Sequence, residues 1–191
     1  MSDPPTLYGA RLRLRPIAMR DAEALFPIFS DEETMRYWSR APFAEVARLR
    51  EWIRPDATWP AWVIESDGAV IGRIALGQQR PRVAEIGYAV SRTMWGRGFA
   101  REAVAAVLAF AFGAAGMRRV FADVDPDNVA SVKLLTSLGF VEEGRLRAEW
   151  ETHLGIRDSL IFGLLANEWD GIPTSSAVKN TASGQVPLVT G

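Results

Sequence analysis

Glu85-Ile86-Gly87-Tyr88-Ala89-Val90-Ser91-Arg92-Thr93-Met94-Trp95-Gly96-Arg97-Gly98-Phe99-Ala100-Arg101-Glu102 reads as an apolar strand, a short turn with two glycines and the first turn of a helix. Gly96 and Gly98 let the backbone take dihedrals closed to other residues and approach a ligand closely. A helix starting there points its unpaired N–H groups and the positive end of its dipole into the turn, which makes an anion site. Arg92, Arg97 and Arg101 add formal charge. The predicted ligand is a phosphate group, most simply a diphosphate. Two familiar phosphate motifs fail. A dinucleotide fold needs a third glycine where Arg101 stands, and a nucleotide-triphosphate loop needs a closing Gly-Lys-Ser/Thr that is absent.

The segments around this turn set the fold class. Upstream, Trp59–Glu65, the turn Ser66-Asp67-Gly68 and Ala69–Leu76 read as a hairpin. After a break over Gly77–Arg82, Val83–Val90 adds a third strand. Downstream, Phe99–Ala114 has apolar residues at helical spacing, Arg118–Val124 is strand-like, and Asn128 caps a helix to Leu138, with Gly139 as its C-terminal cap. Phe140–Gly144 and Arg157–Leu165 are the last strands, with Ala166–Trp169 closing the fold. Before the hairpin, Ala10–Ile17 alternates apolar and basic residues. Asp21 is placed to cap a helix over Ala22–Phe29, in which Pro27 predicts a kink or early stop. A second helix covers about Phe43–Arg54. The result is a mixed α/β layer fold: a twisted, mostly antiparallel central sheet flanked by helices, with a splay between central strands where a ligand can enter. Residues 1–9 are expected to be a flexible lead-in, 10–171 one domain, and 172–191 a disordered or loosely attached tail of Ser, Thr, Ala, Gly and Pro.

Composition narrows the function. Among 191 residues, 48% are hydrophobic and 24% charged, with a net charge of −1. That balance argues against broad nucleic-acid binding. No cysteine is present, so there is no thiolate nucleophile or disulfide, and the single histidine, His153, precludes a multi-histidine metal cluster. No metal motif occurs. No apolar run approaches membrane-spanning length, and the N-terminus lacks a signal-like core, so a cytoplasmic protein with no membrane partner is expected.

Four pieces in order carry a family resemblance: Arg11-Leu12-Arg13-Leu14-Arg15-Pro16; Glu85-Ile86-Gly87-Tyr88; Met94–Ala103; and Asn128–Ser131 through Leu138-Gly139-Phe140 with Glu143-Gly144. The chain resembles the GNAT superfamily of N-acetyltransferases, specifically its Rim-type (RimJ/RimL-like) branch, which includes acetyltransferases of ribosomal-protein N-termini. Thr93 departs from the pattern, which often has Gln or Arg three residues before the first glycine. The resemblance implies acetyl-coenzyme A as co-substrate and direct transfer to a primary amine, either a protein or peptide N-terminus or a small amine such as a polyamine or amino sugar. Backbone groups of Trp95, Gly96, Arg97, Gly98, Phe99 and Ala100 would hold the diphosphate. Tyr88, Ala89 and Val90 would pair with the pantetheine arm, assisted by Asn128, and a backbone N–H near them would face the carbonyl oxygen. Glu85 is the candidate base, and Ser131 the candidate group beside the leaving sulfur. His153 is read as an exposed loop residue. Trp38, Trp52, Trp59 and Trp62 are candidates for an acceptor groove or for the core. The competing reading is a non-catalytic acyl-coenzyme A binding or regulatory module. A homodimer is a further expectation.

Overall fold

The computed structural model describes residues 4–171. The eight strands are β1 (Leu7–Tyr8), β2 (Arg13–Pro16), β3 (Ala61–Ser66), β4 (Ala69–Arg80), β5 (Val83–Val90), β6 (Arg119–Val124), β7 (Val141–Thr152) and β8 (Gly155–Leu165). The helices are α1 (Ala22–Phe29), α2 (Glu32–Met35), α3 (Val46–Trp52), α4 (Phe99–Phe112) and α5 (Val129–Ser137). All strands join one sheet in the order β1-β2-β3-β4-β5-β6-β8-β7. Every neighbouring pair is antiparallel except β5 and β6.

Alternation along the strands sends side chains to two cores. Ala84, Ile86 and Val90 of β5 and Val120, Ala122 and Val124 of β6 pack under α4 and α5. Val63, Ala75 and Ala89 face the opposite layer, built by α1 to α3. Both faces of the central strands are therefore covered, as their nearly continuous apolar runs require.

The β5–β6 pairing is short. Val83↔Arg119, Ala84↔Val120 and Glu85↔Phe121 are in register, and then the strands part. β6 stays paired with β8 as far as Val124↔Leu160. It follows β8 and leaves the rest of β5 open along one edge.

Several expectations change. The lead-in of residues 1–9 includes a strand, since Leu7 and Tyr8 pair with Leu14 and Arg13, and the buried Trp62 indole donates to the Pro5 carbonyl at 2.7 Å. β4 runs on to Arg80, pairing Gln78 with Ala84, so the break shrinks to Pro81-Arg82, where Arg82 has φ 59°. Gly77 survives within the strand because the Trp59 ring lies where its Cβ would be. Asp31-Glu32-Glu33 opens α2, with the Asp31 side chain accepting the Thr34 N–H at 2.9 Å. Pro27 lies inside α1, which ends two residues later. The last strands form one long hairpin around His153-Leu154, because β7 reaches Thr152. The expected tail, 172–191, lies outside the described residues. Among the described residues, no helix is long and apolar enough to cross a membrane.

Asp21 does not cap α1 with its side chain. Its carboxylate turns back to accept from Arg15 at 2.7 and 2.9 Å and from the Ala18 N–H at 2.8 Å, while Arg15 also donates to Glu65 on β3 at 2.7 Å. Burial alone would raise the Asp21 pKa. The hydrogen bonds and charge of Arg15, with the Ala18 N–H, outweigh it and hold the carboxyl below its ordinary value. A depressed carboxylate pKa stabilises the fold above the unfolded-state pKa, and that contribution is lost as pH falls through the folded-state pKa. Asp21→Ala is expected to lower stability by about 2–3 kcal/mol at neutral pH, read by urea denaturation. The difference from the parent should shrink in strong acid.

Candidate active site

The turn between β5 and α4 is a backbone cradle. Gly96 and Gly98 have φ of 72° and 80°, the left-handed region that a side chain resists. Gly98 is the N-cap of the 14-residue α4, and no side chain caps the helix. The Trp95 N–H is donated to the Arg92 carbonyl at 3.2 Å. The N–H groups from Gly96 to Ala100 have no protein acceptor among the described residues. These unpaired donors at a helix start suit an anion. The loop is held from both sides. The Trp95 indole donates to the Val90 carbonyl at 2.7 Å, and Arg11 donates to the Arg97 carbonyl at 3.1 Å. Arg11 is itself fixed by Glu102, at 2.6 Å to its N–H and 2.9 Å to Nε. Thr93 makes a 3.0 Å hydroxyl contact with Ser91.

A cavity of about 610 Å³ runs from this cradle to the gap between β5 and β6. Tyr88, Ala89, Val90, Trp95, Gly96, Gly98, Phe99, Ala100, Asn128 and Ser131 all line it. Arg97 is outside the wall, its guanidinium 5.0 Å from the Phe99 ring centre. Ser91 donates its N–H to Ile71 of β4 at 2.8 Å. Ladder alternation then directs the backbone groups of Ala89 toward β4, and the Ile86 carbonyl and the backbone groups of Tyr88 toward the gap. Val90 faces the gap too, with its carbonyl already holding Trp95.

Where the cavity meets the gap, the Tyr88 and Ser131 hydroxyls are 2.7 Å apart. Asn128 caps α5 by accepting the Ser131 N–H at 3.1 Å, which fixes the serine at the first turn. Burial pushes the Tyr88 phenol up to about 12, against a smaller opposing effect of the Ser131 hydrogen bond. At neutral pH this pair therefore holds its protons.

A second cavity, of about 220 Å³, opens on the other side of the gap. Glu85 lines it, together with Tyr37, Trp38, Asp123 and Trp150. Burial, then the charge of Asp123, raises the Glu85 pKa. Gln79 donates to Glu85 at 3.2 Å. Beside Glu85, a Cβ on Gly87 would meet nothing within 4 Å, so this face of β5 is bare. Tyr37, Trp38, Tyr88, Asn128 and Ser131 border both cavities, so the two are contiguous.

Of the tryptophans singled out in the sequence, Trp38 lines the site, Trp62 is fully buried, and Trp52 and Trp59 pack in the α1–α3 layer. His153 borders neither cavity. Sequence reasoning missed the Tyr88 hydroxyl, Tyr37, Asp123 and Trp150. Only strand parity could have signalled Asp123, since it shares a face with Phe121, the register partner of Glu85.

This geometry, an anion cradle leading to a gap flanked by a carboxylate and a hydroxyl pair, suits group transfer. Residues 11–141 match the Acetyltransferase (GNAT) domain family, and the chain belongs to that family. It is 35% identical over 177 residues to the uncharacterized N-acetyltransferase p20 of Bacillus licheniformis, covering 87% of this chain and 99% of the relative. Spermidine N(1)-acetyltransferase of Escherichia coli is 26% identical over 144 residues, covering 73% and 77%. The structure of Mycobacterium smegmatis RimJ in complex with CoA-disulfide superposes with a TM-score of 0.77 at 28% identity, covering 90% of each chain.

The family uses acetyl-coenzyme A, and the cradle fits it: free N–H donors at α4 for a diphosphate, and an open strand edge at Tyr88 for an amide-bearing arm. Gly98→Ala forces a side chain into the left-handed region, where it costs about 1–2 kcal/mol. Coenzyme A affinity, measured by calorimetry, is expected to fall roughly tenfold, with the circular dichroism spectrum retained.

Proposed function

We propose that the protein transfers an acetyl group from acetyl-coenzyme A directly to a primary amine within a ternary complex. The observation that carries this reading is the placement of two kinds of proton-handling group about one gap. Glu85 and Tyr88 differ in parity along β5, so they face opposite layers of the sheet. The acceptor amine enters from the α1–α3 side, past Tyr37 and Trp38. The coenzyme lies on the α4–α5 side.

Bound acetyl-coenzyme A supplies the activated acetyl thioester. Glu85 takes a proton from the acceptor ammonium, directly or through one water, freeing the lone pair that forms the new C–N bond. Its raised pKa, from burial and then the charge of Asp123, makes it a stronger base than an ordinary carboxylate. Backbone N–H groups of the open β5 edge, at Tyr88 and Val90, are oriented to stabilise negative charge on the carbonyl oxygen. As the C–S bond breaks, the Tyr88–Ser131 pair has a proton to give to the departing sulfur. Gly96, Gly98, Phe99 and Ala100 hold the diphosphate.

For the acceptor, likeness to RimJ supports a protein N-terminus, and likeness to spermidine N(1)-acetyltransferase supports a small amine. The Rim-type branch remains part of this proposal. So does a homodimer, for which Leu154 and Ile156, exposed near the tip of the long hairpin, offer apolar contact area.

The test is thiol release from acetyl-coenzyme A across a panel of amines and short peptides. The protein adds no thiol background, because it has no cysteine. Glu85→Gln is expected to lower kcat by about 10²-fold or more while coenzyme A affinity is unchanged. In the parent, kcat/KM rises with pH as Glu85 loses its proton, so the acid limb lies above the ordinary carboxylate range and disappears in the variant. Tight coenzyme binding with no release for any acceptor would favour the binding-module reading instead.

A further inference from the structure

Four carboxylates line the acceptor cavity, Glu85, Asp123, Asp125 and Asp158, with one arginine, Arg157. Two of the four are neutralised. Asp125 accepts from Arg157 at 2.8 Å through each oxygen, and Asp158 pairs with Arg145 at 2.7 Å while accepting the Ala148 N–H at 2.8 Å. Glu85 and Asp123 have no cationic partner among the described residues.

Asp123 is nonetheless tightly positioned. The Trp150 indole donates to Oδ2 at 2.9 Å, and the fully buried Ser159 hydroxyl donates to Oδ1. Both donors are neutral, so they orient the carboxylate without cancelling its charge. Asp123 stands two residues beyond Phe121, the register partner of Glu85, and on the same face of the sheet. Two strand residues span about 7 Å. Deprotonating one amine requires one carboxylate. A second, oriented and unpaired, raises the electrostatic cost of the cavity until a positive charge arrives.

Building on the acetyltransferase reading, we infer that Asp123 is a specificity-determining residue: it holds a second ammonium group of the acceptor while Glu85 serves the reacting one. The acceptor class is a short aliphatic diamine, able to bridge Glu85 on β5 and Asp123 on β6 within one cavity. The small volume and the aromatic walls, Tyr37, Trp38 and Trp150, suit an alkyl chain between two cationic ends better than a peptide backbone.

The experiment compares 1,4-diaminobutane with butylamine, alike in chain length and different in one charge. The full chain is assayed with saturating acetyl-coenzyme A. A diamine preference in kcat/KM of roughly ten- to hundredfold is expected, the scale of one charge-assisted hydrogen bond, expressed mainly in KM. Asp123→Asn should bring the ratio close to one. Asp123→Glu, which keeps the charge, should restore part of it. Coenzyme A calorimetry reports whether each variant is folded. Equal use of both amines by the parent overturns the inference, as does a preference that survives Asp123→Asn in a folded protein. So does turnover confined to peptide N-termini regardless of nearby basic side chains. Binding of each amine is also read by tryptophan fluorescence, independently of turnover. Saturable, Asp123-dependent diamine binding without acetylation would uphold the subsite and overturn the transferase reading. Absence of saturable diamine binding would overturn the subsite alone.

Discussion

The site depends on the parting of two parallel strands. β5 and β6 share three register pairs and then separate after Glu85↔Phe121, because β6 keeps its longer antiparallel pairing with β8. The candidate site is arranged around that divergence. The parting leaves the Ile86 carbonyl and the backbone groups of Tyr88 and Val90 unpaired by β6, which a sheet interior does not otherwise tolerate. It also opens a passage between the two helical layers, which the proposed transfer uses by bringing coenzyme and acceptor from opposite faces of one strand.

The edges of this opening are fixed by contacts distant in sequence. Arg11, just before β2, reaches Glu102 and the Arg97 carbonyl and so holds the glycine turn against the body of the sheet. Trp95 closes the turn onto Val90. Asn128 fixes the first turn of α5, which sets Ser131 against Tyr88. Such supports fix these groups in place before any ligand arrives, and that preorganisation is worth more than flexible reach. The near-zero net charge hides an electrostatic division. A helix start with unpaired N–H groups stands at one end, and a cavity with two unneutralised carboxylates at the other.

Much of this was legible in the chain. The alternation of β3 to β5, the glycine pair before α4, and Asn128 followed by an amphipathic helix each carry a local physical signal. The resemblance drew on the same residues. What was not legible follows a pattern. β7 is exposed along nearly its whole length and lacks an apolar face, so only its pairing with β8 makes it a strand. Asp21 has the composition of a cap, yet a guanidinium 6 residues earlier outbids the helix for its carboxylate. The hydroxyl pair joins residues 43 apart, and the Asp123–Trp150 bond joins residues 27 apart.

By itself, then, the sequence determined the class of fold, the glycine turn ahead of α4 and the identity of Glu85 and Ser131 as candidates, because short-range periodicity, glycine dihedrals and capping are local properties. Only the tertiary structure decided which hydroxyl faces Ser131, which carboxylates are neutralised, and that Glu85 and Asp123 share one cavity. Those depend on strand register and on the point where β6 leaves β5. Both are set by competition between long-range pairings, and no local stretch of residues encodes them.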